Sequence, residues 1–89
     1  MNDPQHPIKT SSVSICGMHL HYFLYETELP SQNRKSYSIQ IRKESFDDSE
    51  EAWAYDITSL HPRAVEIYRL IVSGTVTPCT LTDILEDLL

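Results

Sequence analysis

Apolar and polar residues alternate most regularly over residues 37–44, the segment around which the rest of the chain can be organised. Successive side chains of a β-strand face opposite ways, so Tyr37, Ile39 and Ile41 would share one side of a strand here. Ser38 and the other polar residues would share the other side. This alternation predicts a half-buried strand with Ile39 and Ile41 in the core.

Two strands are predicted before this segment. Val13 and Ile15 alternate with serines up to Gly17, which suits the positive φ of a tight turn. Residues 19–28 form a longer and more apolar strand, and residues 29–35 have the composition of a hairpin loop. The longer strand divides into two faces, with Leu20, Tyr22 and Leu24 on one and His19, His21, Phe23 and Tyr25 on the other.

A further strand is predicted over residues 51–57, after an acidic turn in which Phe46 is expected to fold back onto the sheet. Simple alternation places Trp53, Tyr55 and Ile57 on one face and Ala52, Ala54 and Asp56 on the other. The connections between successive strands are short, which favours an antiparallel meander over parallel crossovers.

Residues 60–73 predict a helix with a broad apolar surface. The polar residues recur every three or four positions and mark one narrow face: Arg63, Glu66, Arg69 and Ser73. An apolar arc this wide implies burial against both the sheet and another helix. The start is open between Ser59 as the cap and Pro62 in the first turn, and Gly74 is a natural end.

A second helix follows. Thr77 and Pro78 suit the N-cap and first position, while Thr80 with Asp83 forms a competing capping box. The apolar residues lie at helical spacing: Leu81, Ile84, Leu85 and Leu88.

These elements predict an α+β domain over residues 11–89. Its antiparallel meander sheet has three or four strands, with two C-terminal helices packed on one face. The helices would cover Tyr22, Leu24, Ile39 and Ile41. Residues 1–10 hold two prolines and no periodicity, so they are expected to form a flexible N-terminal arm.

Composition narrows the partners and the compartment. The 89 residues carry a net charge of −6, which argues against nucleic acid as a partner because phosphate binding needs clustered lysine and arginine side chains. No apolar run approaches the roughly 18–20 residues that span a membrane, and the N-terminus lacks a signal pattern. We therefore expect a cytoplasmic protein. Cys16 and Cys79 are expected to be free, half-buried thiols rather than a disulfide.

Short motifs in residues 20–89 resemble a family of small, uncharacterised bacterial proteins, a domain of unknown function. The resemblance rests on the strand motif at residues 37–39, on Asp56 and Ile57 at the end of the last strand, and on residues 76–78 with the acidic and leucine positions of the last helix. In those relatives glycine is common where Ser38 stands here. The resemblance implies a fold and assigns neither an activity nor catalytic residues.

His19 and His21 are the sharpest candidates for chemistry. Two histidines separated by one strand residue share a face and lie close enough to bind one divalent metal ion. A metal site also needs a third ligand, which Cys16 or an acidic residue would have to supply by folding over. The alternative is a solvated or partner-facing pair.

No catalytic site is expected. Asp56, Ser59 and His61 bring an acid, a hydroxyl and an imidazole within six residues, but a strand-to-helix junction accounts for all three. The acidic pairs at residues 47–48 and 50–51 lack a calcium-loop pattern and suit a solvated turn. With only two glycines in the chain, a glycine-rich phosphate loop is excluded, so no cofactor is expected.

The side chains of His19, His21, Phe23 and Tyr25 would form the open face of the sheet, beside the small Ala52 and Ala54. Exposed aromatic residues of this kind mark interfaces, although cross-strand packing without a partner explains them equally well. These observations favour a non-enzymatic protein-interaction or regulatory module that binds a protein partner or a second copy of itself through this face. The alternative is a small-ligand or metal-binding protein that uses His19 and His21.

Overall fold

The computed structural model describes residues 6–88, which form a four-stranded antiparallel sheet covered on one face by two helices. The strands are β1 (Pro7–Ile15), β2 (Met18–Leu29), β3 (Arg34–Ser45) and β4 (Asp48–Thr58), and the helices are α1 (His61–Ser73) and α2 (Leu81–Leu88). The strand order in the sheet is β1-β2-β3-β4, so each strand pairs with its neighbour in sequence. The predicted α+β meander with two C-terminal helices is confirmed.

The first strand begins earlier than the sequence indicates. Residues 7–10, predicted to belong to a flexible arm, form the first part of β1, and Pro7 pairs with Tyr25 of β2. Residues 1–5 of the predicted arm lie outside the described residues. Between β1 and β2, Cys16 and Gly17 both have positive φ, at 50° and 79°, as a two-residue type I′ hairpin turn requires.

One face of the sheet is sealed by the helices. Tyr22 pairs with Ile41 and Leu24 with Ile39, and all four side chains are fully buried, as predicted. The helices contribute Ala64, Ile67, Tyr68, Ile71, Leu81 and Leu85 to the same core. Burying this much apolar surface is the main stabilising contribution to the fold.

Polar groups inside this core are paired. The Tyr22 hydroxyl donates to the carbonyl of Val76 at 2.9 Å, and the Tyr68 hydroxyl lies 2.8 Å from Ser11 Oγ. Within residues 6–88, every buried side-chain nitrogen and oxygen has a hydrogen-bond partner. These bonds tie the segment after α1 and the middle of α1 to specific positions on β1 and β2.

The alternation of β4 is broken by a bulge. Ile39 of β3 pairs with Ala54, but Tyr37 pairs with Thr58, so three residues of β4 lie opposite one residue of β3. Asp56 takes up the extra length in the left-handed region, at φ 54°. Aspartate tolerates that conformation better than most residues with a Cβ.

The bulge changes which β4 side chains share a face. Ile57 turns into the core and is 9% exposed, while Trp53 and Tyr55 lie on the opposite, open face. Ala52 and Ala54 pack against the core instead of lying on the open face. The prediction of one face for Trp53, Tyr55 and Ile57 is therefore wrong, because simple alternation counts no extra residues.

Two smaller expectations also differ from the structure. Phe46 lies at the tip of the β3–β4 turn and is 100% exposed, so it does not fold back onto the sheet. Cys16 and Cys79 are free, as expected, but both are exposed rather than half-buried.

The first helix starts and ends through its backbone. No side chain caps its N-terminus, and Pro62 lies in the first turn, so Ser59 is not the cap. At its end the amide of Val76 donates to the carbonyl of Ile71 at 3.2 Å, and Thr75 has φ 52°. This is a Schellman-type ending in which Thr75 takes the left-handed position.

The second helix begins as the sequence suggests. Thr77 caps a short 3-10 turn, Pro78–Thr80, and its hydroxyl lies 3.0 Å from that of Thr80. The turn runs directly into α2, whose residues Leu81 and Leu85 are buried. Thr77 and Pro78 take the predicted N-cap and first positions in this 3-10 turn, and α2 itself begins at Leu81.

Candidate functional site on the open sheet face

Four aromatic side chains cross the face of the sheet that the helices leave open. Phe23 and Tyr25 come from β2, and Trp53 and Tyr55 come from β4. Adjacent ring centroids lie 6.3 Å apart from Phe23 to Tyr25, 5.2 Å from Tyr25 to Trp53 and 5.2 Å from Trp53 to Tyr55. We call these four residues the aromatic row. The sequence predicted two of its members, and the β4 bulge explains why the other two were missed as neighbours of Phe23 and Tyr25.

Beneath the aromatic row, the open-facing side chains of β3 form a buried polar floor. Ser36, Ser38 and Gln40 are 6%, 8% and 4% exposed, although no helix covers them. The Tyr25 hydroxyl donates to Gln40 Oε1 at 2.9 Å, so one ring of the row is fixed to the floor. Burial raises the pKa of Tyr25, Arg42 opposes that rise and the Glu51 carboxylate adds to it.

A shallow groove of about 370 Å³ opens between the aromatic row and one end of the sheet. Trp53 and Tyr55 form its wall, and Ser36 and Ser38 lie on its floor. Asp56 borders the groove beyond Tyr55. The combination of an apolar wall and a hydroxyl floor suits the side chains of another protein.

The end of the open face next to this groove carries a bidentate ion pair. Arg34 donates to both carboxylate oxygens of Asp56 at 3.0 Å, and Ser36 Oγ donates to the same carboxylate at 2.9 Å. The bonds from Arg34, and then that from Ser36, lower the pKa of Asp56, while the Asp56 carboxylate raises the pKa of Arg34. The pair fixes the bulge that points Tyr55 outward.

The opposite end is bordered by a second set of charges. The Arg42 guanidinium lies 5.9 Å from the centre of the Phe23 ring, and Trp53 Nε1 donates to Glu51 Oε2 at 2.7 Å. Phe23 at one end of the aromatic row and Trp53 within it therefore contact charged side chains. The result is an apolar centre with a polar rim.

His19 and His21 lie on the same open face, beyond Phe23. Ser14 Oγ is 2.8 Å from Nδ1 of His19, and Ser12 Oγ is 3.1 Å from Nδ1 of His21. Nε2 of His21 lies 3.4 Å from a Glu44 oxygen. Residues 6–88 contain no group of three or more histidine, cysteine or acidic side chains that could hold a metal ion. Metal binding by the pair stays a prediction.

The junction residues predicted to be structural are held apart. Asp56 is bonded to Arg34 and Ser36, whereas the His61 ring packs edge-on against Tyr37 with centroids 5.7 Å apart. The acidic pairs are likewise divided, since Glu50 lies 3.3 Å from Lys43 and Glu51 accepts from Trp53.

The fold and this face define a small α+β domain with an open antiparallel sheet, one face of which is apolar at its centre. The chain belongs to a family of unknown function, DUF6514, whose profile matches residues 3–89. No curated protein and no solved structure matches the chain. Among residues 6–88, no helix has the length and apolar character needed to cross a membrane.

Proposed function

We propose that this protein is a non-enzymatic interaction module whose open sheet face is its contact surface, with a second copy of the chain as its partner. The observation that carries the proposal is the aromatic row at the centre of that face. In protein interfaces, aromatic residues near the centre supply much of the binding energy, and charged residues are found mainly at the rim.

The size of the face supports this proposal. Neighbouring strands lie about 4.8 Å apart and residues advance about 3.4 Å along each strand, so four strands of about ten residues present roughly 700 Å². Specific interfaces take about 600–1,000 Å² from each partner. The face is therefore large enough for a standard interface without help from the helices.

Charge pairing supports a second copy as the partner. The chain carries a net charge of −6, but acids on this face lie beside basic or imidazole groups: Asp56 beside Arg34, and Glu44 beside His21. Two copies can therefore approach through this face without large repulsion. A two-fold axis would place the same patch on both sides of the interface.

The proposal includes neither catalysis nor nucleic-acid or membrane binding, and it places the protein in the cytoplasm. The acidic charge supports a protein partner over a polyanion. Two exposed free thiols suit a reducing compartment.

The test uses Tyr55→Glu, which places a charge in the aromatic row at a side chain that is 69% exposed. We expect the wild type to sediment as a concentration-dependent dimer and the variant as a monomer with an unchanged circular dichroism spectrum. The double variant Phe23→Ser/Tyr25→Ser should also be monomeric, and it should be less stable than Tyr55→Glu because it also removes the Tyr25–Gln40 bond. Phe46→Glu is the matched control, because it adds the same charge at an exposed aromatic residue away from the face.

A wild type that stays monomeric at millimolar concentration would remove self-association. Equal dimerisation by Tyr55→Glu and the wild type would place the interface elsewhere on the molecule.

The alternative function is a metal or small-ligand site at His19 and His21. One observation favours it: serine hydroxyls hold both Nδ1 atoms, and a partner on one ring nitrogen is how proteins orient the other toward a metal. Elemental analysis of untagged protein decides between the two proposals. Stoichiometric zinc or nickel that is lost in His19→Ala/His21→Ala would make metal binding the leading function.

A further inference from the structure

A second groove lies on the other side of the sheet, between β1 and α1. Its volume is about 360 Å³, its apolar surface comes from Val65, Tyr68 and Val72 of α1, and Lys9 of β1 and Arg69 of α1 border it. The hydroxyl bond between Tyr68 and Ser11 of β1 fixes the distance between helix and strand here. This groove shares no residue with the aromatic row.

Among residues 6–88, the two cations of this groove make no ion pair with an acidic side chain. Acids outnumber bases 13 to 7 in the chain, and four of the bases make ion pairs within residues 6–88: Arg34, Lys35, Lys43 and Arg63. Arg42 lies over the Phe23 ring. The remaining two, Lys9 and Arg69, meet at this groove, which has no acid in its lining. In the described part of this acidic protein, the groove is thus bordered by cations alone, and its positive charge attracts an anionic group.

The groove also reaches a free strand edge. Within residues 6–88, β1 is the first strand of the sheet and pairs with β2 alone, so the backbone groups along its other side have no partner strand there. Thr10 lines the groove although its pairing with Phe23 places its side chain on the open face. The groove is therefore continuous with the edge of β1. A groove between an edge strand and a helix is where several peptide-binding domains take up an extended segment.

We propose that this groove binds an extended acidic peptide segment, which adds to the edge of β1 as a fifth strand. Its backbone would pair with β1 over residues 9–13. Because alternate residues of a strand share a face, an apolar side chain with an acid two positions to each side would place the apolar group against Val65 and Val72 and the carboxylates near Lys9 and Arg69.

Charge excludes β1 of a second copy as the occupant. Pro7–Ile15 contains Lys9 and no acid, so pairing two copies of β1 would bring two cations together without compensation. A lysine on an edge strand commonly prevents such self-pairing, and an acidic segment removes that penalty. This proposal is independent of self-association through the aromatic row.

The probe is an end-capped, fluorescein-labelled peptide with the sequence Thr-Glu-Thr-Leu-Thr-Glu-Thr, titrated with the full chain and followed by fluorescence anisotropy. We expect saturable binding, which Lys9→Glu or Arg69→Glu should weaken by about threefold or more, because each reversal replaces an attraction between exposed charges by a repulsion. Both side chains are exposed, so the variants should fold. Lys35→Glu, which makes the same charge change away from the groove, is the control.

Two further probes test the mode of binding. A peptide with lysines in place of its glutamates should bind the Lys9→Glu/Arg69→Glu variant better than the wild type. A peptide methylated on the backbone amides of one edge should lose affinity if it adds as a strand. In amide NMR spectra, the unmethylated peptide should shift residues 9–13 of β1 most.

Three outcomes would overturn the proposal. The first is no saturation by the acidic peptide at millimolar concentration. The second is equal weakening by Lys35→Glu and Lys9→Glu, which would show only a general charge effect. The third is binding of hexanoate as tight as that of the peptide, which would make the groove a small-carboxylate site rather than a place for strand addition.

Discussion

The two faces of the sheet are both apolar, but they are covered in different ways. Along β2 the same alternation places Tyr22 and Leu24 under the helices with no exposed surface and leaves Phe23 and Tyr25 partly exposed on the other side. On the covered face, apolar side chains interlock with α1 and α2. On the open face, large aromatic residues lie over smaller polar ones.

The central strand shows what this difference means. Residues 36–41 of β3 are all buried, so this strand is enclosed on both sides although helices lie on only one. The aromatic row supplies the second cover. The inner sides of these rings therefore have a structural role in covering β3. Only their outer surfaces are accessible to a binding partner.

The largest expected effect lies on the covered face. Ile41→Ala removes a fully buried side chain and should lower the free energy of unfolding by about 2–5 kcal/mol. Tyr55→Ala on the open face should cost less than about 1 kcal/mol, because that ring is largely exposed. Urea denaturation followed by circular dichroism measures both. Equal losses in the free energy of unfolding would show that the two faces contribute equally to stability, which would contradict the difference described above.

An intermediate effect concerns the bond between Tyr37 and Glu26 on the covered face. The Tyr37 hydroxyl donates to Glu26 Oε2 at 2.6 Å. Burial and the Glu26 carboxylate raise the pKa of Tyr37 to about 12, while the bond from Tyr37 is the main cause of the lowered pKa of Glu26. Tyr37→Phe should lower the free energy of unfolding by about 1–2 kcal/mol near neutral pH.

The pH dependence has a definite sign. A tyrosine whose pKa is raised by folding stabilises the fold fully below its unfolded value of 10.0, and this contribution is lost as pH rises through about 12. The difference in stability between wild type and Tyr37→Phe should therefore shrink over that range, as measured by urea denaturation. At the acidic end, the stabilisation from Glu26 should disappear as pH falls below 4.5, its ordinary pKa. A constant difference between pH 7 and 12 would contradict this account.

Much of the fold follows from regular periodicity. The strict alternation in β2 and β3 was enough to predict which residues lie under the helices, and the leucine spacing predicted α2. The face of Phe23 and Tyr25 was predicted for the same reason. These segments have no insertions, so counting by two gives the correct face.

The differences arise where the backbone departs from regular geometry. Asp56 adds length to β4 at a positive φ. As a result Ile57 faces the core, whereas Trp53 and Tyr55 lie on the open face. The Arg34 contact that stabilises the bulge joins residues 22 positions apart, which local patterns do not reveal. A bulge centred on aspartate has no sequence signal as strong as glycine would give.

The smallest expected change in the free energy of unfolding comes from the C-terminal end of α1, which is not part of the sheet itself. The helix ends at Gly74, as the sequence predicts: Gly74 is the C-cap at φ −85°, and the left-handed position after it belongs to Thr75 at φ 52°. A β-branched residue is strained there, so Thr75→Gly should raise the free energy of unfolding by about 0.5–1 kcal/mol after the added entropy of the unfolded chain is subtracted. Thermal and urea denaturation would measure the gain.

Gly74→Ala is the matched control for the same turn. Its added Cβ would lie 3.2 Å from the Leu70 carbonyl oxygen, so no gain is expected from it. The amide of Val76 closes the turn after Thr75, and the carbonyl of Val76 accepts the bond from Tyr22. A less strained turn should therefore stabilise the packing of the helices on the sheet. Because this turn packs on the covered face and the aromatic row lies on the opposite face, the dimerisation assay should not change. A stabilised Thr75→Gly variant with altered self-association would mean that the two faces are coupled through the sheet.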